Sequence, residues 1–202
     1  MENHRRRGFT VVELLLVMVV IALMATIAWP RIQIWAGYVR VRSAAGEVAG
    51  ALAEARLTAI RYSSKVALRF ETGDDGRVLM TIYRDQDGDG VLTRDIRRGV
   101  DTTQKESRPL QGFDRRIRFG FPDGVAPAEI GGTGRRITRL IDPIRFNRSD
   151  MASFNSLGTA TPGTVYLTDG WKSLVAVRVS HRSGMISIWS YDKETEIWKV
   201  VG

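Results

Sequence analysis

The sequence predicts an α+β protein: a long N-terminal helix, transmembrane and then amphipathic, packed on an antiparallel β-sheet domain. Three observations predict it. An apolar run extends from Phe9 to Trp29, interrupted only by Thr10, Glu13 and Thr26. A second apolar stripe follows at steps of four and three, through Val41, Ala45, Val48, Leu52, Ala55 and Ala59. Beyond it the period falls to two, in short segments separated by glycine and aspartate clusters. One long helix followed by many short strands is the layout of an α+β domain.

The first run would rise roughly 31 Å as a helix, about the thickness of a bilayer's hydrocarbon core. Arg5, Arg6 and Arg7 flank its N-terminal side, so the positive-inside rule holds that end in the cytoplasm and sends the chain outward. Glu13 does not fit a plain anchor. An ionisable group at the centre of such a helix costs about 2.5–3.5 kcal/mol and is by default functional. A position near the helix N-terminus softens that cost, because the helix dipole favours a carboxylate there.

The segment Gly8-Phe9-Thr10-Val11-Val12-Glu13-Leu14, preceded by the arginines, resembles the class III signal of type IV pilins and type II secretion pseudopilins. The resemblance implies that a prepilin peptidase cuts between Gly8 and Phe9 and that the new N-terminal Phe9 is methylated. It also implies that Glu13 serves assembly by pairing with the N-terminal amine of a neighbouring subunit. Phe9 and Glu13, four residues apart, share one helix face, so an intramolecular pair is open to them as well. An ordinary secretory signal would have a shorter apolar region and a small-residue cleavage site, and a simple anchor gives no reason for Glu13.

The remaining composition allows one soluble domain. Roughly 140 residues beyond the N-terminal helix are enough to enclose a core. There are no cysteines, which removes disulfide frameworks and thiolate metal sites. The net charge is +8. Residues 1–8 hold three arginines against Glu2, a net +2, leaving +6 after cleavage. Such a balance suits nucleic acid or an anionic membrane, and equally a solvated arginine-rich surface.

Pro30 follows the apolar run and predicts a helix kink there, since it lacks an amide donor and crowds the preceding turn. The sequence therefore divides into a leader over 1–8, a transmembrane and assembly helix over 9–29, its amphipathic continuation over 30–62, and a β-rich periplasmic domain over 63–202. Within that domain, Val66, Leu68 and Phe70 alternate with Ala67 and Arg69, as in a half-buried strand. Asp74-Asp75-Gly76 reads as a turn and 78–84 as the returning strand. Further strands are expected at 116–121, 144–146, 164–168, 174–180, 185–191 and 197–201.

A narrower resemblance follows from these segments. Ala51 to Arg61 leading into Val66-Ala67-Leu68, Phe154 to Ala160, Val165 to Asp169 and the hairpin at Ser183-Gly184 are similar to GspH/FimT-type minor pseudopilins. Residues 97–143 carry no such similarity.

Four stretches invite a chemical reading. Asp85, Asp87 and Asp89 occupy positions one, three and five of a calcium-loop pattern, with Gly90 at six, but position twelve is Ile96 and no flanking helices are expected. A tight glycine-rich turn between strands is the favoured reading, with Ca²⁺ binding as the alternative and no other cofactor expected. Arginines recur from Arg97 to Arg148. DNA-binding FimT-type relatives carry a Gly-Arg-x-Arg motif in the C-terminal hairpin, where this chain has Gly184-Met185-Ile186-Ser187, so DNA binding is not favoured and would rest on Arg178 and Arg182. Gly131 to Arg136 lacks the lysine and hydroxyl ending of a phosphate loop. Trp171, Trp189 and Trp198 are read as sheet packing. His4 and His181 are the only histidines, and no catalytic constellation is expected.

The reading is a minor pilin-like structural subunit, not an enzyme, processed by prepilin peptidase and assembled into a type II secretion pseudopilus or type IV pilus. Its partners would be other pilins or pseudopilins, through the N-terminal helix. It would reside as a single-pass protein of the bacterial inner membrane before entering the filament. The alternative is a DNA-binding subunit for DNA uptake.

Overall fold

The computed structural model describes residues 10–72, 78–109, 117–131, 134–147, 149–180 and 183–202. The turn expected at 74–76 lies outside them. The chain forms two compact units, residues 1–36 and residues 37–202. Its long helix, α1 (Val11–Tyr62), runs from one into the other. Pro30 lies inside α1, and the helix does not end there.

In the first unit every described residue of α1 as far as Gln33 is exposed, including Leu14, Leu15, Leu16, Ile21, Leu23 and Trp29. This helix is long and apolar enough to cross a membrane.

In the second unit the remainder of α1 buries one face. Val41, Ala45, Val48, Leu52, Ala55 and Ala59 are each 0% exposed, which is the stripe expected from their spacing. Small residues dominate that stripe and let the sheets come close to the helix axis.

Two antiparallel sheets face the helix, where a single sheet was expected. The first has the order β3-β2-β1-β6, built from β1 (Val66–Thr72), β2 (Val78–Arg84), β3 (Thr102–Pro109) and β6 (Met151–Phe154). The second has the order β10-β9-β8-β7-β4. It comprises β4 (Arg118–Phe119), β7 (Gly163–Thr168), β8 (Leu174–Val179), β9 (Ile186–Asp192) and β10 (Ile197–Val200), with β5 (Ile144–Arg145) also paired to β7. Val66, Leu68, Phe70 and Ile82 from the first sheet and Val165, Leu167, Val175 and Val177 from the second join the helical stripe in one core. Phe146 is fully buried there, stacked on Phe70 with ring centroids 6.1 Å apart.

The outer faces are covered too. Ala67 and Met151, on the far side of the first sheet, pack with Val91 and Ile96 of the segment after β2. Tyr166, Leu174 and Ala176, on the far side of the second, pack with Phe121, Ile130 and Ile137. The long connection of unrecognised sequence thus supplies apolar cover to a sheet that would otherwise expose large side chains.

Several expectations are corrected. The 85–92 segment is not a tight strand-to-strand turn, because it leads into a short helix, α2 (Thr93–Arg98), and only then into β3. The edge strand β3 and the short β6 were not foreseen, and the strand expected at 116–121 reduces to β4 among its described residues. Strand β3 reads TTQKESRP, with no apolar alternation, since an edge strand has its backbone bonded on one side and few side chains to bury. Trp171 is 60% exposed and is not sheet packing, whereas Trp198 packs at a tilt against the rings of Tyr166 and Tyr191 and donates its indole N–H to the Ala128 carbonyl at 2.7 Å.

Candidate functional site

The N-terminal site begins at Thr10 among the described residues; Gly8 and Phe9 precede them. Thr10 and Glu13 form a reciprocal cap on α1. The Glu13 backbone N–H donates to Thr10 Oγ1 at 3.3 Å, while Glu13 Oε2 accepts the Thr10 backbone N–H at 2.8 Å and its hydroxyl at 2.9 Å. This is a capping box, which satisfies two helix-end donors that have no intrahelical partner. The Thr-x-x-Glu spacing was present in the sequence and could have revealed it. Thr10 N–H and Thr10 Oγ1 both bond the same carboxylate oxygen, Oε2, so the cap and an interaction through the other oxygen are geometrically compatible.

The acidic segment is the second candidate. One carboxylate oxygen from each of Asp85, Asp87 and Asp89 lies within 4.8 Å of the others. Asp85 is buried and organises the loop, accepting the backbone N–H of Gly88 at 2.8 Å and of Gly90 at 3.0 Å. Asp87 and Asp89 are exposed. The Asp89 backbone N–H lowers the Asp87 pKa, whereas desolvation, followed by the Asp87 side chain and its charge, raises that of Asp89. Arg94 bonds Asp89 at 2.7 Å and Asp95 at 3.0 Å. Lys65 Nζ donates to the Gly88 carbonyl at 2.9 Å. Sequence reasoning missed two further acids here: Asp95 and Asp101 are 4% and 3% exposed.

DNA binding, not favoured from the sequence, would rest on Arg178 and Arg182. Arg182, like His181, lies outside the described residues. Arg178 is half-buried, and its Nη1 donates to the Ile130 carbonyl. Arg136 bonds Glu196 and the Ala126 carbonyl. These guanidiniums tie the covering segment to the second sheet. The C-terminal hairpin is instead locked to α1: Arg56 Nε donates to the Gly158 carbonyl at 3.0 Å, and Gly184 packs on that same carbonyl.

Comparison with known proteins agrees with the N-terminal geometry. Residues 3–29 match the family model described as the prokaryotic N-terminal methylation motif. No curated protein and no solved structure matches the chain significantly. The matched residues contain the basic flank, Gly8, Phe9, the Thr10–Glu13 cap and the exposed apolar part of α1. The chain thus carries a prepilin-type methylation motif at the head of a long apolar helix, the N-terminal arrangement of a pilin-like protein.

Proposed function

We propose that this chain is a minor pilin-like structural subunit, cut by prepilin peptidase after Gly8, methylated on Phe9, and assembled into a type II secretion pseudopilus or a type IV pilus. The observation that carries the proposal is the methylation motif over 3–29 leading directly into a helix whose apolar residues from Val11 to Ile32 are all exposed. A bare apolar surface of that length needs lipid, and then other helices, to cover it. Before assembly the protein would lie in the bacterial inner membrane as a single-pass subunit with residues 63–202 in the periplasm. The role is structural and not enzymatic.

We read the chain as a minor subunit on its GspH/FimT-type resemblance. Its support is the helix-to-strand junction, where α1 ends at Tyr62 and β1 begins at Val66, together with the hairpin packed back on Arg56. The alternative, a subunit that binds DNA for uptake, would use Arg178 for phosphate. That residue already bonds the Ile130 carbonyl, which favours the assembly reading.

The test is to express the chain with prepilin peptidase and its pilin partners, and to analyse membranes and sheared filaments by mass spectrometry. A mature form beginning with methylated Phe9 and present in filaments is expected. A start elsewhere, such as after Ala28, or absence from filaments when the other subunits assemble, would overturn it.

A further inference from the structure

Trp171 is 60% exposed, yet its loop is closely hydrogen-bonded. Residues 169–173 join β7 to β8, and Asp169 Oδ1 accepts the backbone N–H groups of Trp171, Lys172 and Ser173, each at 2.9 Å. The Thr168 hydroxyl donates to the Ser173 carbonyl at 2.7 Å and accepts the Gly170 N–H at 3.0 Å. A single exposed apolar side chain is ordinary on a protein surface. This one is displayed on a fixed support beside two ammonium groups. Lys172 Nζ stands 4.8 Å from the centroid of the Trp171 ring, and Lys193 Nζ donates to the Trp171 carbonyl at 2.7 Å. Among the described residues neither ammonium has a carboxylate partner. Of the acids near them, Asp169 is turned inward on its own loop, Asp192 pairs with Lys199 at 2.9 Å, and Glu194 is exposed.

The loop lies where α1 enters the second unit. Gly37 is the first residue of that unit, and the place its Cβ would take is 2.9 Å from Asp169 Oδ2 and 3.8 Å from Ser173 Oγ. Trp35 precedes Gly37 by two residues, at most about 7 Å of chain in any conformation. Trp29, Ile32 and Trp35 are all exposed, so bare apolar side chains continue almost to Gly37. Tryptophans gather at the headgroup level where a helix leaves a bilayer. The headgroup region adds only about 5–7 Å on each side of the hydrocarbon core.

We propose that Trp171, Lys172 and Lys193 form a lipid-docking surface: the indole enters the headgroup layer of the bilayer that α1 spans, and the two ammonium groups bind lipid phosphates. Tryptophan suits that layer because its ring has an apolar body and a polar N–H. Lysine suits it because its stem lies along apolar surface while its charge stays among polar groups. A phosphate supplies the negative partner that both ammonium groups lack. Docking would hold the second unit against the membrane until the subunit is withdrawn into a filament. The proposal rests on the reading of α1 as membrane-spanning, and not on which filament the chain enters.

The test is fluorescence quenching of the full chain in vesicles of phosphatidylethanolamine and phosphatidylglycerol, with and without a nitroxide placed near the headgroup. Subtracting the emission of Trp171→Phe from that of the wild type isolates Trp171, and Trp29→Phe isolates Trp29 in the same way. Both signals are expected to be quenched by the nitroxide. Repeating the subtraction for Trp171 in Lys172→Gln should lower its docked-to-undocked ratio about fivefold, the effect of one basic residue at an anionic surface, while Trp29 stays quenched. Trp29 quenched with Trp171 unquenched would overturn the docking surface and leave the membrane span standing. Quenching of neither would overturn the membrane span and the docking surface with it. Undiminished quenching of Trp171 in Lys172→Gln would also overturn the proposal.

Discussion

Oε2 of Glu13 accepts the backbone N–H of Thr10 at 2.8 Å, closing the first turn of α1. A carboxylate that would be costly in hydrocarbon is therefore partly satisfied within its own subunit. That bond lowers the cost of carrying an acid in an apolar helix, and it sharpens what an assembly role requires. Capping and recruitment are separable, because capping needs Thr10 as well, whereas attraction of an incoming amine needs the Glu13 charge.

Crosslinking to pilin partners in membranes should separate them. Glu13→Leu should leave insertion and cleavage intact while crosslinking falls. Thr10→Ala loses a cap worth about 0.5–2 kcal/mol but keeps the charge, so its crosslinking should persist. Equal loss in both variants would reduce Glu13 to a helix cap.

Processing depends on Gly8. A bulky replacement, Gly8→Leu, should leave residues 1–8 attached and Phe9 unmethylated, read as intact mass. Cleavage at the wild-type position in that variant would show that the peptidase does not read Gly8.

Gly163 begins β7 against Phe146, and a Cβ there would stand 2.0 Å from the Phe146 ring. Phe146 is fully buried and stacked on Phe70, with no room to move. Gly163→Ala should cost about 1–3 kcal/mol or more, the range for overpacked cores, measured by denaturant unfolding. Gly184→Ala should be of similar severity, since Gly184 combines a φ of +56° with a would-be Cβ 2.1 Å from the Gly158 carbonyl.

Asp192 gives a pH dependence of known sign. Its carboxylate bonds Lys199 Nζ at 2.9 Å and accepts the N–H groups of Glu194 and Thr195. The Lys199 bond first, then those N–H groups, lower its pKa to about 2 from 3.8. A depressed folded-state value means the contribution is complete above the unfolded pKa and is lost as pH falls from about 4 towards 2. Lys199→Met should move the Asp192 titration upward in carboxyl NMR and flatten that part of the melting profile. An unchanged titration would remove Lys199 as the main cause.

By itself the sequence determined the features that depend on near neighbours along the chain. The apolar run, the basic flank, and Gly8, Phe9 and Glu13 form a local pattern. The Val41–Ala59 stripe is equally local, because helical geometry alone places residues three and four apart on one face. Strands β1, β2, β7, β8 and β9 were legible as short apolar runs bounded by turn residues, although β7 and β8 turn out buried on both faces. Only the tertiary structure decided what depends on residues distant in sequence. Strand β3 is polar and exists because β2 offers it hydrogen bonds. The sheet splits in two because β6 returns to pair with β1 at Val66–Phe154, while β7 pairs with β8. Asp101 reaches the Leu92 N–H only after α2 reverses the chain, and Arg178 becomes a brace only when the Ile130 carbonyl is brought to it. Burial and hydrogen-bond partnership are properties of the closed core, so no local spacing announces which acid is buried or which arginine is already engaged.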